Sequence, residues 1–194
     1  LINDFYHMVL PPFSLKEVEN FILKVFSEQA VKFDAKVIPR VQELLGQSIP
    51  FFLQLMTSEL IARWKQDPDT ALTKATVDEV FEKELLGLRM LGHLQHYHAR
   101  IEVYFPEIDR DAVYDILSFL AISNGVPLKT LFARYVKFES KRPNPRDERQ
   151  LMQSFSRMFL FLQIDFYVED IGDRRYDFAN RLIKSWWKKY YGEM

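Results

Sequence analysis

Five arginines stand where charge could do work: Arg146, Arg149 and Arg157 in a stretch whose apolar residues recur at helical spacing, and Arg174 and Arg175 beside a glycine-containing turn. Guanidinium groups spaced along a helix and a neighbouring hairpin can meet a phosphate backbone or an acidic protein surface. Carboxylates interleave with them at Asp147, Glu148, Asp170, Asp173 and Asp177. Phosphate affinity needs several unopposed cations, so contact with a partner protein is the expectation and DNA contact by the same arginines the alternative. His93 and His96, within His93-Leu94-Gln95-His96-Tyr97-His98, share one helical face at a spacing that could hold a metal. No carboxylate stands at the matching turn before them, and such surface histidines are usually solvated or tied to backbone, so no metal site is assigned.

Other chemistry is excluded by what is missing. The glycines, at positions 46, 87, 92, 125, 172 and 192, form neither G-x-x-x-x-G-K-[ST] nor G-x-G-x-x-G, so no Gly-rich phosphate cradle is encoded. The lack of cysteine removes a disulfide scaffold, a thiolate zinc site and a cysteine nucleophile together. No Ser/His/Asp or paired-carboxylate arrangement emerges, and no catalytic residue is assigned.

The 194 residues are 48% hydrophobic and 15% aromatic, enough to bury one or two ordinary cores. No apolar run approaches the roughly 18 residues that cross a bilayer, and the N-terminus lacks a signal-peptide layout. A cytoplasmic protein without membrane contact is expected. Residues 1–104 hold 11 Lys+Arg against 14 Asp+Glu and residues 105–194 hold 15 against 13. That balance is less basic than a dedicated nucleic-acid domain carries.

The elements that must position these residues read as mainly helical. Ser14-Leu15-Lys16-Glu17 is a capping box that opens a helix to about Gln29, with Leu15, Val18, Phe21, Ile22, Val25 and Phe26 on its inner face. Asp34 is placed to cap a second helix ending near Gly46, and Ser48 to cap a third with Pro50 in its first turn. Thr76-Val77-Asp78-Glu79 reads as another capping box, opening a helix to about Leu91, followed by a weaker helical stretch from His93 to Tyr104 that bridges two domains. Phe105-Pro106 marks the boundary. Beyond it Asp109 caps a helix to about Ser123, Pro127 starts one to about Phe138, and a third runs from about Arg146 to Gln163. Period-two segments around Asp170-Ile171-Gly172-Asp173 predict a β-hairpin. A last helix carries Leu182, Ile183, Trp186 and Trp187; the two tryptophans being adjacent, one is expected to enter the core and the other to cover a seam or interface.

Three segments carry a family resemblance. Leu10-Pro11-Pro12-Phe13-Ser14-Leu15-Lys16-Glu17 resembles the entry to the lid helices of bacterial and archaeal AAA-type, STAND-like P-loop ATPases. Ile49-Pro50-Phe51-Phe52-Leu53-Gln54-Leu55 resembles the Gly-x-Pro element of those lids, whose proline approaches the nucleotide; here Gly46 stands four residues before Pro50. Tyr176-Asp177-Phe178-Ala179-Asn180-Arg181-Leu182-Ile183-Lys184-Ser185-Trp186-Trp187 is similar to the pattern that closes their winged helix.

The resemblance implies a mainly α chain: a helical lid bundle over residues 1–104, then a winged-helix domain with one β-hairpin over residues 105–194. It implies that Ile49 and Pro50 pack on ATP or ADP held by an N-terminal nucleotide-binding domain in cis, the chain alone being unable to hydrolyse ATP. Leu1-Ile2-Asn3-Asp4-Phe5-Tyr6 reads as a strand end and loop from within such a larger protein. The winged helix then transmits nucleotide state to a protein partner; a DNA-binding winged-helix transcriptional regulator is the competing class.

Overall fold

Ser14 opens the first helix as its residue type allows: its hydroxyl accepts from the Glu17 amide at 3.3 Å while the Glu17 carboxylate accepts from the Ser14 amide at 2.8 Å. Two amides that the first turn leaves without helical partners are thereby satisfied. In the computed structural model, which describes residues 12–192, this helix is α1, Leu15–Glu28, followed by α2, Val37–Leu45, α3, Pro50–Trp64, and α4, Lys74–Val80. The segment Leu1 to Tyr6 and the Leu10-Pro11 start of the lid-like motif lie outside the described residues.

These helices pack on one another around Val18, Ile22 and Phe26 of α1, Val41 and Leu45 of α2, Phe52, Leu53, Met56 and Leu60 of α3, and Val77 of α4. Two loop bridges tie the ends. The Phe13 amide donates to Ser48 O at 3.1 Å, and Asp34 N and Leu72 O close a second bridge at 2.9 Å.

Three caps differ from the sequence expectation. Asp34 does not cap α2: Lys36 holds the cap position without a side-chain bond, and the Asp34 carboxylate accepts from the Lys36 amide at 2.8 Å. Thr73, not Thr76, opens α4, because the two threonines bond reciprocally: the Thr76 amide donates to Thr73 Oγ1 at 3.3 Å and the Thr73 amide to Thr76 Oγ1 at 3.2 Å. Ser48 does not cap α3. Ile49 occupies the cap position without a side-chain bond, while Ser48 is buried and its hydroxyl turns to Gly46 O at 3.5 Å. Pro50 lowers the need for a cap, having no amide hydrogen to satisfy.

The chain divides into two compact units between Val80 and Phe81. The second begins with a π-helical turn, Phe81–Leu85, then α5, Leu88–Tyr104. The helix expected to run through Leu91 instead breaks at Gly87, which is extended, and the weak histidine-containing stretch becomes the body of α5. Phe105-Pro106, read from sequence as a boundary, is the turn between α5 and α6, Glu107–Ile122, inside this unit. The chain continues as β1, Val126–Pro127; α7, Leu128–Glu139; α8, Glu148–Ile164; β2, Val168–Asp170; β3, Arg175–Phe178; and α9, Arg181–Tyr191.

The predicted hairpin forms, with Val168 opposite Phe178 and Asp170 opposite Tyr176, and β1 adds antiparallel to β3 in the order β1-β3-β2. The mainly α class with a β-hairpin is therefore the observed one. Gly172 turns the hairpin at φ 103°. Gly125 sits at φ +63°, and a Cβ there would lie 2.5 Å from the Ile171 side chain; both features favour glycine where β1 joins the sheet.

Local caps in this unit also moved. Pro106 takes the cap of α6, and Asp109 lies in its first turn. Asp147, paired reciprocally with Gln150 at 2.8 and 3.1 Å, starts α8 one step after Arg146. Asn180 caps α9 by accepting from the Leu182 and Ile183 amides at 2.9 and 3.1 Å.

Both Trp186 and Trp187 are fully buried, which corrects the expectation that only one enters the core. Adjacent helical residues point about 100° apart, and the buried stripe of a helix packed in a globular unit is at least that wide. Trp187 donates Nε1–H to Ser118 Oγ of α6 at 3.2 Å and meets Phe178 of β3, while Trp186 packs edge-on to Tyr191.

Candidate functional site

Helix α8 supplies one wall of a surface cavity. Its inner stripe, Phe155, Met158, Phe159 and Leu162, is buried, and Phe155 meets Phe132 of α7 edge-on at 5.1 Å while Phe159 meets Tyr176 of β3 at 4.8 Å. These contacts hold α8 against α7 and the sheet but leave other apolar residues outside: Met152 and Leu160 are each 55% exposed, and Phe161 and Ile164 are exposed beside them. Between α7, α8 and the hairpin turn lies a cavity of about 690 Å³, lined chiefly by Phe132, Met152, Phe155, Phe159 and Leu160 with Lys129, Asp173 and Arg174 at its edge.

The five arginines divide into two sets. Arg146 points inward: Nη2 is 2.7 Å from Asp109 Oδ1, Nη1 is 3.5 Å from the fully buried Glu139, and Nη1 donates to Tyr135 Oη at 2.6 Å. Burial opposes the Arg146 charge, yet the Asp109 hydrogen bond and the neighbouring Tyr135 and Glu139 outweigh it and raise its pKa. Burial likewise pushes the Tyr135 hydroxyl up. Arg175 donates to Gly125 O at 2.8 Å and Asn124 O at 3.1 Å, fastening β3 to the loop before β1. Arg149, Arg157 and Arg174 are exposed, and among the described residues none of them forms an ion pair.

The interleaved acids divide as well. Asp147 is a helix cap, and Asp177 is held by Lys184 Nζ at 2.7 and 2.8 Å. The cluster joining Asp109, Glu139, Arg142 and Arg146, with Arg142 Nε 2.7 Å from Glu139 Oε1, ties α6, α7 and the start of α8 together. Sequence reading did not find Glu139 or Arg142, since their pairing depends on where three helices meet. The exposed face of α8 did leave a signal: Met152, Leu160, Phe161 and Ile164 are apolar residues in excess of one core stripe.

In the first unit, Ile49 is half-buried with an extended backbone and Pro50 is exposed at the first position of α3. The link is fixed on both sides, by the bridge from Phe13 to Ser48 and by the Leu53 amide donating to Ile49 O at 3.1 Å. An exposed ring on a fixed helix start can pack on a planar ligand without ordering cost.

His93 and His96 are exposed on α5. Among the described residues no group of three or more His, Cys, Asp or Glu is placed to hold a metal, and no helix is long and apolar enough to cross a membrane. His98 instead stacks on Tyr114 and Tyr191 at 4.5 and 4.4 Å between ring centres.

No protein-family model and no curated protein sequence matches the chain. Among solved structures, the fold is similar to that of a Walker-type ATPase of Pyrococcus abyssi, with a TM-score of 0.53 and 16% identity. The likeness covers 90% of this chain and 41% of that one, so the chain spans less than half the length of the ATPase whose fold it shares in part.

Proposed function

We propose that this chain is the lid and winged-helix part of an ATP-binding, STAND-like ATPase of the AAA type. In this reading the first unit touches ATP or ADP through Ile49 and Pro50, on a nucleotide-binding domain in cis that carries the phosphate loop. The second unit is the winged helix, which engages a partner protein according to nucleotide state, in the cytoplasm. The carrying observation is the fold likeness to a Walker-type ATPase over 90% of this chain and only 41% of that protein.

Local features support each half. The order α6, β1, α7, α8 and then the β2-β3 hairpin is the element order of a winged helix, with α8 in the place of the groove-reading helix. Pro50 presents an exposed ring on a fixed link, as a residue that reports nucleotide state through differential contact should. On the same reading the 194-residue chain alone does not turn over ATP, having no Gly-rich phosphate loop.

The test uses the polypeptide together with the residues encoded ahead of Leu1. These should include G-x-x-x-x-G-K-[ST], and amide hydrogen exchange across residues 47–53 should slow when ATP replaces ADP. Equal exchange in both nucleotides, or ATP turnover by the 194 residues alone, would overturn the proposal.

Exposed Arg149, Arg157 and Arg174 favour a second reading, a DNA-binding transcriptional regulator. Two of the five arginines are spent on internal contacts and α8 faces outward with apolar side chains. Retention of the chain on duplex DNA at low salt, lost steeply as salt rises, would favour DNA over protein.

A further inference from the structure

The groove between α7, α8 and the hairpin turn is apolar at its base and cationic at its rim. Phe132, Phe155 and Phe159 form the base and Met152 and Leu160 the α8 side. Its volume, about 690 Å³, is of the size that accepts two or three large side chains. Met152 and Leu160, both in this lining, are each 55% exposed, whereas the exposed Phe161 and Ile164 of α8 line a separate pocket with Tyr104 and Phe105.

Charge selects the occupant. Lys129 on α7 and Arg174 on the hairpin turn stand at the edge, with Asp173 as the carboxylate among them, and Arg149 lies one turn before Met152 on α8. Neither Lys129, Arg149 nor Arg174 forms an ion pair among the described residues. A nucleic-acid duplex, its base faces already stacked on one another, would satisfy these cations and leave the phenylalanine base uncovered. A partner that adds a β-strand needs a sheet edge with free amide donors; the edge strand β2 does not line the groove, and the edge strand β1 reaches it only through Pro127, which has no amide hydrogen to donate.

We infer that the groove takes an amphipathic helix of a partner protein, with leucine or phenylalanine side chains seated over Phe155 and Phe159 and flanking glutamates or aspartates against Lys129, Arg149 and Arg174. This rests on reading the second unit as a protein-binding module and names the class of its partner. Apolar anchors in the groove supply affinity, and the rim charges supply selectivity and approach rate.

The test titrates the full chain, by fluorescence anisotropy, into three labelled probes. One is a synthetic helical peptide of about 16 residues with leucines four residues apart and glutamate flanks; the second has lysines in place of the glutamates; the third is duplex DNA. The acidic peptide should bind at least about tenfold more tightly than the basic one. The double variant Lys129→Glu with Arg174→Glu should reverse that order. Leu160→Asp, at an exposed position, should weaken the acidic peptide about tenfold without changing the melting curve. Equal binding of both peptides, a preference untouched by the charge reversal, binding of DNA alone, or binding of none of the three would each overturn the inference. Such a failure leaves the ATP-dependent exchange at residues 47–53 as it was, so it is distinguishable from failure of the ATPase reading.

Discussion

The unit that ends at Val80 has an interior of aliphatic residues and phenylalanines and keeps its ion pairs toward solvent, with Arg40 bonded to Asp78 at 2.5 Å and to Glu43 at 2.6 Å. The unit that begins at Phe81 places Glu139, fully buried, between Arg142 and Arg146 and stacks His98 among Tyr114, Trp187 and Tyr191. An ion pair in water can exchange partners with solvent at little cost, whereas a buried carboxylate fixes its neighbours because none of them can lose it without stranding a charge. The first unit is thus held mainly by non-directional burial. The second adds directional contacts that set where α6, α7 and α8 meet, and so fix the shape of the apolar groove.

That contrast can be broken most severely at its aromatic and ionic centres. Trp187→Ala should destabilise the second unit by about 3–5 kcal/mol, the usual cost of emptying a large aromatic site; chemical denaturation with separate reporters for each unit would show it. Glu139→Ala should cost a similar amount, about 3–5 kcal/mol, by leaving Arg142 and Arg146 without their buried carboxylate. A cost below about 1 kcal/mol would place this cluster with ordinary surface pairs and erase the distinction.

Smaller changes sharpen the comparison. Asn180→Ala, which removes the acceptor for the Leu182 and Ile183 amides, should cost about 1 kcal/mol. In the first unit, Asp78→Ala should cost about 0.2–1 kcal/mol, an effect reduced further by salt.

The smallest effect is a pH slope. Burial holds the His98 pKa below its ordinary value of 6.5, with Glu102 pulling the other way. As pH falls through about 6.5 the unfolded chain takes up a proton that the folded chain resists, so the second unit should lose stability on acidification and level off below the folded pKa. His98→Phe should remove that part of the slope. Melting curves at successive pH values would measure it, and an unchanged slope in the variant would assign the pH response to other groups.

The features legible in the sequence were those set within a few residues. Ser14 and Glu17 close a capping box three residues apart, and Asp170 to Asp173 carry the hairpin turn, because the bonds concerned are made inside one helical turn or one loop. Helical period alone placed Val18, Ile22, Phe26 and Phe155, Phe159, Leu162 inside, but it placed Leu15 there as well, which is 66% exposed. Even local grammar left choices open: Thr73 and Thr76 compete for one cap, and the reciprocal bond between them decided it.

The partner of each long side chain was set by packing between elements far apart in the chain. Five arginines look equivalent along the chain, yet Arg146 is claimed by Asp109, 37 positions away, and Arg175 by carbonyls of Asn124 and Gly125, while Arg149, Arg157 and Arg174 keep theirs open to solvent. The same holds for Trp186 and Trp187, whose burial depended on α6, β3 and Tyr191 covering two neighbouring faces of α9. Helical period and capping are set by the backbone within a turn; charge pairing and side-chain cover are set by elements distant in sequence that packing brings within a few ångströms. For that reason the elements could be read from the residues, and the groove could not.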